Sequence, residues 1–350
     1  METKIIKCDP LNFIPEDIEP AALAIKNGGL VAFPTETVYG LGGNGLLPAA
    51  SKKIYAAKGR PSDNPLILHI ADRQMVYALA SEVSEKAVKL MEEFWPGPLT
   101  LVFKKKDIVP FETTGGLDTV AIRMPSHPAA LELIRRSGCP IAAPSANISG
   151  RPSPSKASHV VDDLFGRIDH IIDGGETDIG IESTIVDMTG EVPMILRPGY
   201  ITTAMLREVV GEVDIDPAVK GVDANIRPKA PGMKYTHYAP KGELTIVEGE
   251  TERVVKKINE LVLEKEKEGF RCGVLASAEQ YESYDADIVL KVGSRLEPVT
   301  ISAGLYSVLR EFDDLEVQYI FSESFSGEGL GNAIMNRLIK AAGHRVIEVW

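Results

Sequence analysis

The sequence predicts an α/β protein: an open, twisted, mixed sheet with helices packed on it, followed by a smaller doubly wound α/β domain. Three observations predict it. Short apolar runs alternate with amphipathic stretches, as interleaved strands and helices do. With 350 residues, 44% hydrophobic and 25% charged, the chain has the material for two cores. The pattern fades once, between residues 213 and 241, where prolines and cations take over. The expected division is a first domain over 1–211, a Pro-rich linker over 212–241 and a second domain over 242–350.

Residues 18–27 read as a helix, with Pro20 tolerable near its start and Gly28-Gly29 at its end. Leu30-Val31-Ala32-Phe33 is a buried strand, and residues 34–40 form a polar loop carrying Thr35, Glu36 and Thr37. Gly40, Gly42 and Gly45 spell G-x-G-x-x-G, with Asp63 at roughly the distance of a ribose-binding acid. A dinucleotide fingerprint must close a strand and open a helix at once. Here the polar loop and Leu46-Leu47-Pro48 intervene, so the match is discounted.

A helical run through Tyr55-Ala56-Ala57 is stopped by Lys58-Gly59-Arg60-Pro61. Gly59 can turn with φ > 0 and Pro61 cannot continue a helix. Two cations at i and i+2 on a stiff loop suit an anion, the lysine as a point charge and the arginine as a planar fork. A surface turn with two solvated charges accounts for them equally well. Leu66 to Ile70 is a strand broken by His69, which taken alone reads as a satisfied core histidine.

Residues 84–93 form an amphipathic helix, 99–103 a strand with a lysine-rich solvated edge after it, and 113–116 a loop. The strand over 120–124 carries Arg123 in its apolar register; it is either paired or aimed at an anion, because burying it alone is costly. A helix over 128–137 leads to a short strand over 140–143. From there a loop with Ser145, Asn147 and Ser149 runs on through Arg151, Ser153 and Ser155. Hydroxyl-rich loops at strand ends commonly hold ligands, although Ser, Asn, Gly and Pro are also plain turn formers. Strands follow over 168–172, 183–187 and 194–199, the last with Arg197 before its closing Pro198-Gly199, and then a helix over 202–210 capped by Thr202 or Thr203. In this layout Lys58, Arg60, Arg123 and Arg197 lie at element ends. With the hydroxyl loops they can line one cleft for a substrate with several negative groups.

The linker holds Tyr235 and Tyr238 among its prolines and cations, which a spacer does not need; a connector lying over a ligand does. Beyond it, strands over 244–247, 272–276, 288–292, 317–321 and 345–349 alternate with helices over 252–267, 299–312 and 333–342. The glycine run at 327–331 lacks the lysine of a P-loop and reads as a capping turn.

The net charge of −12 argues against a protein whose main work is nonspecific nucleic-acid binding. Cys8, Cys139 and Cys272 have no zinc-ligand spacing and read as reduced core thiols. No apolar run approaches about 20 residues, and a cytoplasmic protein is expected.

Lys58-x-Arg60 with Ser145-x-Asn147 resembles the signature of the YrdC-type L-threonylcarbamoyladenylate synthases. PTETVYGLG, KGRPSDNPLILHI, WPGPLTLVF, VAIRMPSHP, PIAAPSANISG, ESTIVD and ILRPG stand in that family's order over roughly residues 10–210. The resemblance implies a YrdC-like catalytic domain, with a linker and a Rossmann-like C-terminal domain of the longer form. It implies that L-threonine, bicarbonate and ATP give threonylcarbamoyl-AMP and pyrophosphate. The product serves threonylcarbamoylation of the adenosine 3′ of the anticodon in tRNAs reading codons that start with A.

By the same resemblance, Thr35, His69, Arg123, Ser183 and the backbone near Ala143 hold threonine. Lys58, Ser62, Thr119, Ser145, Ser153 and Arg197 hold ATP, Arg60 and Asn147 complete a charged tetrad, and Tyr235 closes over the nucleotide. Mg2+ is expected to arrive mainly through the ATP phosphates. A handover to a threonylcarbamoyl transferase complex is implied, with tRNA contact weak or transient. Two alternatives remain: a carbamoyladenylate-type transfer enzyme, and a module gripping structured RNA in its basic cleft.

Overall fold

The computed structural model describes residues 2–9, 13–220 and 237–350. Compact packing divides them into two units. The first spans the chain to residue 220; the second holds residues 237–350, and the short segments Gly150–Ser153 and Ile179–Ile181 are counted with it.

The first unit carries strands β1 (Lys4–Lys7), β2 (Val31–Phe33), β3 (Gly40–Asn44), β4 (Ile67–His69), β5 (Leu99–Lys104), β6 (Thr119–Arg123), β7 (Ile141–Ala143), β8 (His170–Asp173), β9 (Thr184–Asp187), β10 (Met194–Arg197) and β11 (Asp214–Ile215). They form one sheet in the order β1-β8-β2-β3-β7-β4-β6-β5-β9-β10-β11. The sheet is mixed, as expected: β4 and β6 run parallel, whereas β5 and β6 run antiparallel. Helices α1 (Glu19–Lys26), α2 (Pro48–Lys58), α3 (Met75–Leu79), α4 (Glu85–Phe94), α5 (Phe111–Thr114), α6 (Pro128–Ser137), α7 (Ala157–Leu164) and α8 (Thr203–Val210) accompany it. Ser84 and Thr202 cap α4 and α8, each accepting from a backbone N–H three residues on.

The glycine run is a strand rather than a phosphate loop. β3 is central, between β2 and β7, and its neighbours come too close for side chains. A Cβ on Gly42 would meet Ile141 at 2.6 Å and Phe33 at 2.8 Å, and one on Gly45 would meet Leu68 at 2.3 Å. Close strand packing therefore explains glycines whose spacing only mimics a fingerprint.

The second unit has strands β12 (Glu243–Gly249), β13 (Cys272–Ser277), β14 (Val289–Gly293), β15 (Tyr319–Glu323) and β16 (Val346–Val349), in the order β14-β13-β15-β12-β16. Every pairing in it is parallel. Helices α9 (Thr251–Lys267), α10 (Pro298–Asp314) and α11 (Leu330–Ala341) supply the crossovers, the doubly wound pattern expected. Gly329 is the N-cap of α11. All three cysteines are free and buried, and burial pushes the Cys272 thiol up to about 11. Among the described residues no helix is long and apolar enough to cross a membrane.

Candidate active site

Three hydrogen-bonded groups in the first unit contain most of the expected site residues. The first gathers around Lys58, the last residue of α2. The helix ends there because Gly59 takes a left-handed φ of 63°, while the N–H groups of Gly59 and Arg60 close back on the carbonyls of Ala56 and Tyr55. Lys58 is 2% exposed. Its Nζ donates to the carbonyl oxygens of Ser145, at 2.5 Å, and Asn147, and to Asn147 Oδ1 at 3.3 Å. Ser145 Oγ donates to the same Oδ1 at 2.5 Å. The loop that carries both residues is pinned by its backbone. Ala146 N donates to Tyr39 O, Ser149 N to Lys58 O, and Ile148 N to Asp163 Oδ2 at 3.1 Å. Lys58, Ser145 and Asn147 therefore form one connected unit.

Arg60 braces its own loop: Nε donates to Asn64 O at 3.2 Å and Nη2 to Pro65 O at 3.1 Å. Ser62 is exposed on that loop.

The second group surrounds Arg123, at the end of β6. Sheet register sets His69 of β4 and Thr100 of β5 directly beside it, and aligned partners share a face. Arg123 is 4% exposed. Its Nη1 donates to Thr37 Oγ1 at 2.8 Å and its Nε to Gly97 O at 3.4 Å. Nη2 lies 2.7 Å from Glu36 Oε1, an ion pair outside hydrogen-bond alignment. Thr35 Oγ1 sits 2.9 Å from Thr37 Oγ1 and donates to Val38 O at 2.7 Å. Thr35, Thr37, Arg123 and His69 thus come together. The backbone of Ala143 lies one strand away, on β7 beside β4.

His69 Nδ1 donates to Ile67 O at 3.1 Å, which leaves Nε2 as the acceptor nitrogen of a neutral ring. Burial, with the Arg123 charge added to it, lowers the imidazole to about 3. The ring also meets Phe33 edge-on, with centroids 5.8 Å apart.

The third group joins Ser183 and Arg197. Arg197 Nε donates to Ser183 O at 3.1 Å and Nη2 to Ser183 Oγ at 3.2 Å. Ser183 Oγ lies 2.7 Å from Thr100 Oγ1, and Thr100 stands opposite Arg123, so the second and third groups are neighbours.

Thr119 lies apart from these groups. It opens β6 opposite Lys104, about 13 Å along the strand from Arg123 at roughly 3.3 Å per residue. Ser153 is fully buried and counted with the second unit. Tyr235 lies outside the described residues.

Glu36 and Thr37, which hold Arg123, and Asp163, which holds the Ser145–Asn147 loop, carried no assignment from sequence. For Glu36 the available signal was a carboxylate between two threonines; for Asp163, the second of two adjacent acids on a helix, there was none. Among the described residues no group of three His, Cys, Asp or Glu side chains could hold a metal ion.

A family model described as "Telomere recombination", for the Sua5/YciO/YrdC domain, matches residues 23–199. One described as "Threonylcarbamoyl-AMP synthase, C-terminal domain" matches residues 201–343. The chain is 52% identical to the threonylcarbamoyl-AMP synthase of Pyrococcus abyssi, covering 95% of this chain and 96% of that one. It is also 52% identical to the Bacillus subtilis protein of the same name, covering 97% and 96%. The crystal structure of P. abyssi Sua5 complexed with L-threonine superposes with a TM-score of 0.95 at 50% identity, over 99% of this chain and 100% of that one. The chain belongs to the Sua5/YciO/YrdC family, in the longer form that carries the threonylcarbamoyl-AMP synthase C-terminal domain.

Proposed function

We propose that the protein is an L-threonylcarbamoyladenylate synthase, a nucleotidyltransferase of tRNA modification that uses ATP as a substrate. Near-full-length identity of 52% to two threonylcarbamoyl-AMP synthases carries this reading. A buried lysine group and two neighbouring buried arginine groups in the first unit give it a chemical basis.

The reaction joins anions. The amine of threonine attacks the carbon of bicarbonate, water leaves, and a carbamate forms. A carbamate oxygen then attacks the α-phosphorus of ATP and pyrophosphate leaves. Both steps need fixed donors more than a nucleophilic side chain, because like charges must be brought together and held.

In our assignment Arg123 takes the threonine carboxylate, with Thr35, His69, Ser183 and the Ala143 backbone around it. Neutral His69 Nε2 can accept from the amine or hydroxyl of the amino acid. Lys58, Ser145 and Arg197, with Ser62, Thr119 and Ser153, take ATP, and Arg60 and Asn147 complete the charged tetrad. An ammonium has three N–H groups. The 3.3 Å contact to Asn147 Oδ1 is the longest that Lys58 Nζ makes to this loop, and so the one a phosphate oxygen would replace most readily. Mg2+ would be held mainly by the ATP phosphates. Tyr235 would close over the nucleotide, and the labile product would pass to a threonylcarbamoyl transferase in the cytoplasm.

The test is pyrophosphate release from ATP with threonine and bicarbonate omitted in turn. Release that requires both is the expected result; release indifferent to threonine would overturn the substrate assignment. Removing residues 242–350 with and without Tyr235 tests the connector. Activity that survives the first cut and falls with the second would support a chemical role for it, and equal activity in both would refute one.

A further inference from the structure

The guanidinium assigned to the substrate carboxylate already has a carboxylate of the protein against it. Glu36 and Thr37, consecutive on the β2–β3 loop, each engage one terminal nitrogen of Arg123. Thr37 Oγ1 accepts from Nη1 at 2.8 Å, and Glu36 Oε1 lies 2.7 Å from Nη2. The other Glu36 oxygen is tied down independently, accepting from Ser126 N at 3.1 Å on the segment between β6 and α6. Glu36 is 6% exposed, and neither its Oε1 nor Arg123 Nη2 is reached by solvent.

This arrangement differs from a carboxylate waiting to be displaced. Both oxygens of Glu36 are committed, one to Arg123 and one to the β6–α6 backbone. An arginine side chain is long and rotamer-rich, and a planar fork recognises a carboxylate only if its plane is set in advance. Nη1 has a second N–H beyond the one given to Thr37. That leaves an N–H of Nη1 for a ligand while Glu36 holds Nη2 and Thr37 the other N–H of Nη1.

We propose that Glu36 is a positioning residue: it orients Arg123, and so sets the affinity for the amino-acid carboxylate without touching the amino acid. The proposal rests on the assignment of Arg123 to threonine. It extends the recognition apparatus to a residue at the base of the site.

A double-mutant cycle tests it. Glu36→Gln, nearly isosteric, should lower kcat/KM for L-threonine by about 10-fold to 100-fold, as interacting neighbours do, and should change the KM for ATP by less than about 3-fold. In an Arg123→Gln background the same change should have almost no further effect on kcat/KM for threonine. Glu36→Asp, which keeps the charge, should recover part of the loss, and it carries the same readings if Glu36→Gln does not fold. Equal losses toward threonine and ATP, or effects that simply add in the double variant, would overturn the proposal. Should the unaltered protein release pyrophosphate without regard to threonine, the functional reading itself would fall and the role of Glu36 with it. Threonine-dependent release in the unaltered protein with an additive cycle would refute the positioning role alone.

Discussion

Lys58 Nζ lies 2.5 Å from the carbonyl oxygen of Ser145, a residue 87 positions along the chain, on the loop that leaves β7. The contact joins the end of a helix to the end of a strand. It holds a buried ammonium among carbonyl and amide oxygens, so the cation is in place before any phosphate arrives. Lys58→Ala should lower pyrophosphate release by about 100-fold or more if the ammonium stabilises charge developing on the phosphates. Asn147→Ala should cost less, since Lys58 keeps the two carbonyl partners. A wild-type rate for Lys58→Ala would remove the lysine from the mechanism.

His69 makes stability depend on pH. Its imidazole is lowered from 6.5 to about 3 by burial, with the Arg123 charge added to it. Between those values the unfolded chain binds a proton that the folded chain refuses. The stabilising contribution is complete above 6.5 and is lost as the pH falls toward 3, by about 1.4 kcal/mol per pH unit. Denaturant unfolding at pH 7, 5.5 and 4.5 should therefore show His69→Gln losing less stability on acidification than the unaltered protein. Parallel losses in the two proteins would mean that the ring does not govern this range.

Much of this architecture was legible because it repeats locally. The capping hydroxyls of Ser84 and Thr202, the left-handed Gly59 and the apolar runs of β2, β5 and β6 each follow from a few neighbouring residues. Strand position drifted where burial, not propensity, decides. β15 covers Tyr319–Glu323, two residues beyond the expected run, because hydrogen bonds satisfy the polar groups at its buried end: Ser322 donates to Glu323 O, and Glu323 accepts from Ser277 and Arg295. Glu36 and Asp163 stayed hidden for another reason. Each acts through a partner distant in sequence, and a single acid carries no sign of what it will face.

Asp163 is a case that can be tested. It is 3% exposed on α7, and its carboxylate accepts from Ile148 N. Asp163→Ala leaves a half-buried N–H without that partner, which should cost about 1 kcal/mol. Because that N–H belongs to the residue after Asn147, the loss should also reach the loop. The KM for ATP should rise while that for threonine stays nearly constant. An unchanged KM for ATP in a measurably less stable variant would confine Asp163 to a structural role.

The ion pair of Arg295 and Glu323 in the second unit should be asymmetric. Glu323, at the end of β15, is 2% exposed in its side chain and accepts from Ser277 N at 2.8 Å and Ser277 Oγ at 3.0 Å, besides Arg295. The Arg295 side chain is 36% exposed. Removing the arginine leaves a carboxylate buried with only neutral donors, and breaking a buried pair in this way costs about 3–5 kcal/mol. Neutralising the acid leaves a guanidinium that can turn into water, so the cost falls toward about 1 kcal/mol. Arg295→Met should therefore lower the melting temperature of the second unit more than Glu323→Gln does. Calorimetry of the full chain, with the transition that responds to these substitutions assigned to this unit, gives the comparison. The reverse order would mean that the cost of burying Glu323 is already met by Ser277 and that Arg295 contributes through packing on Phe325, whose ring centre lies 5.1 Å from the guanidinium.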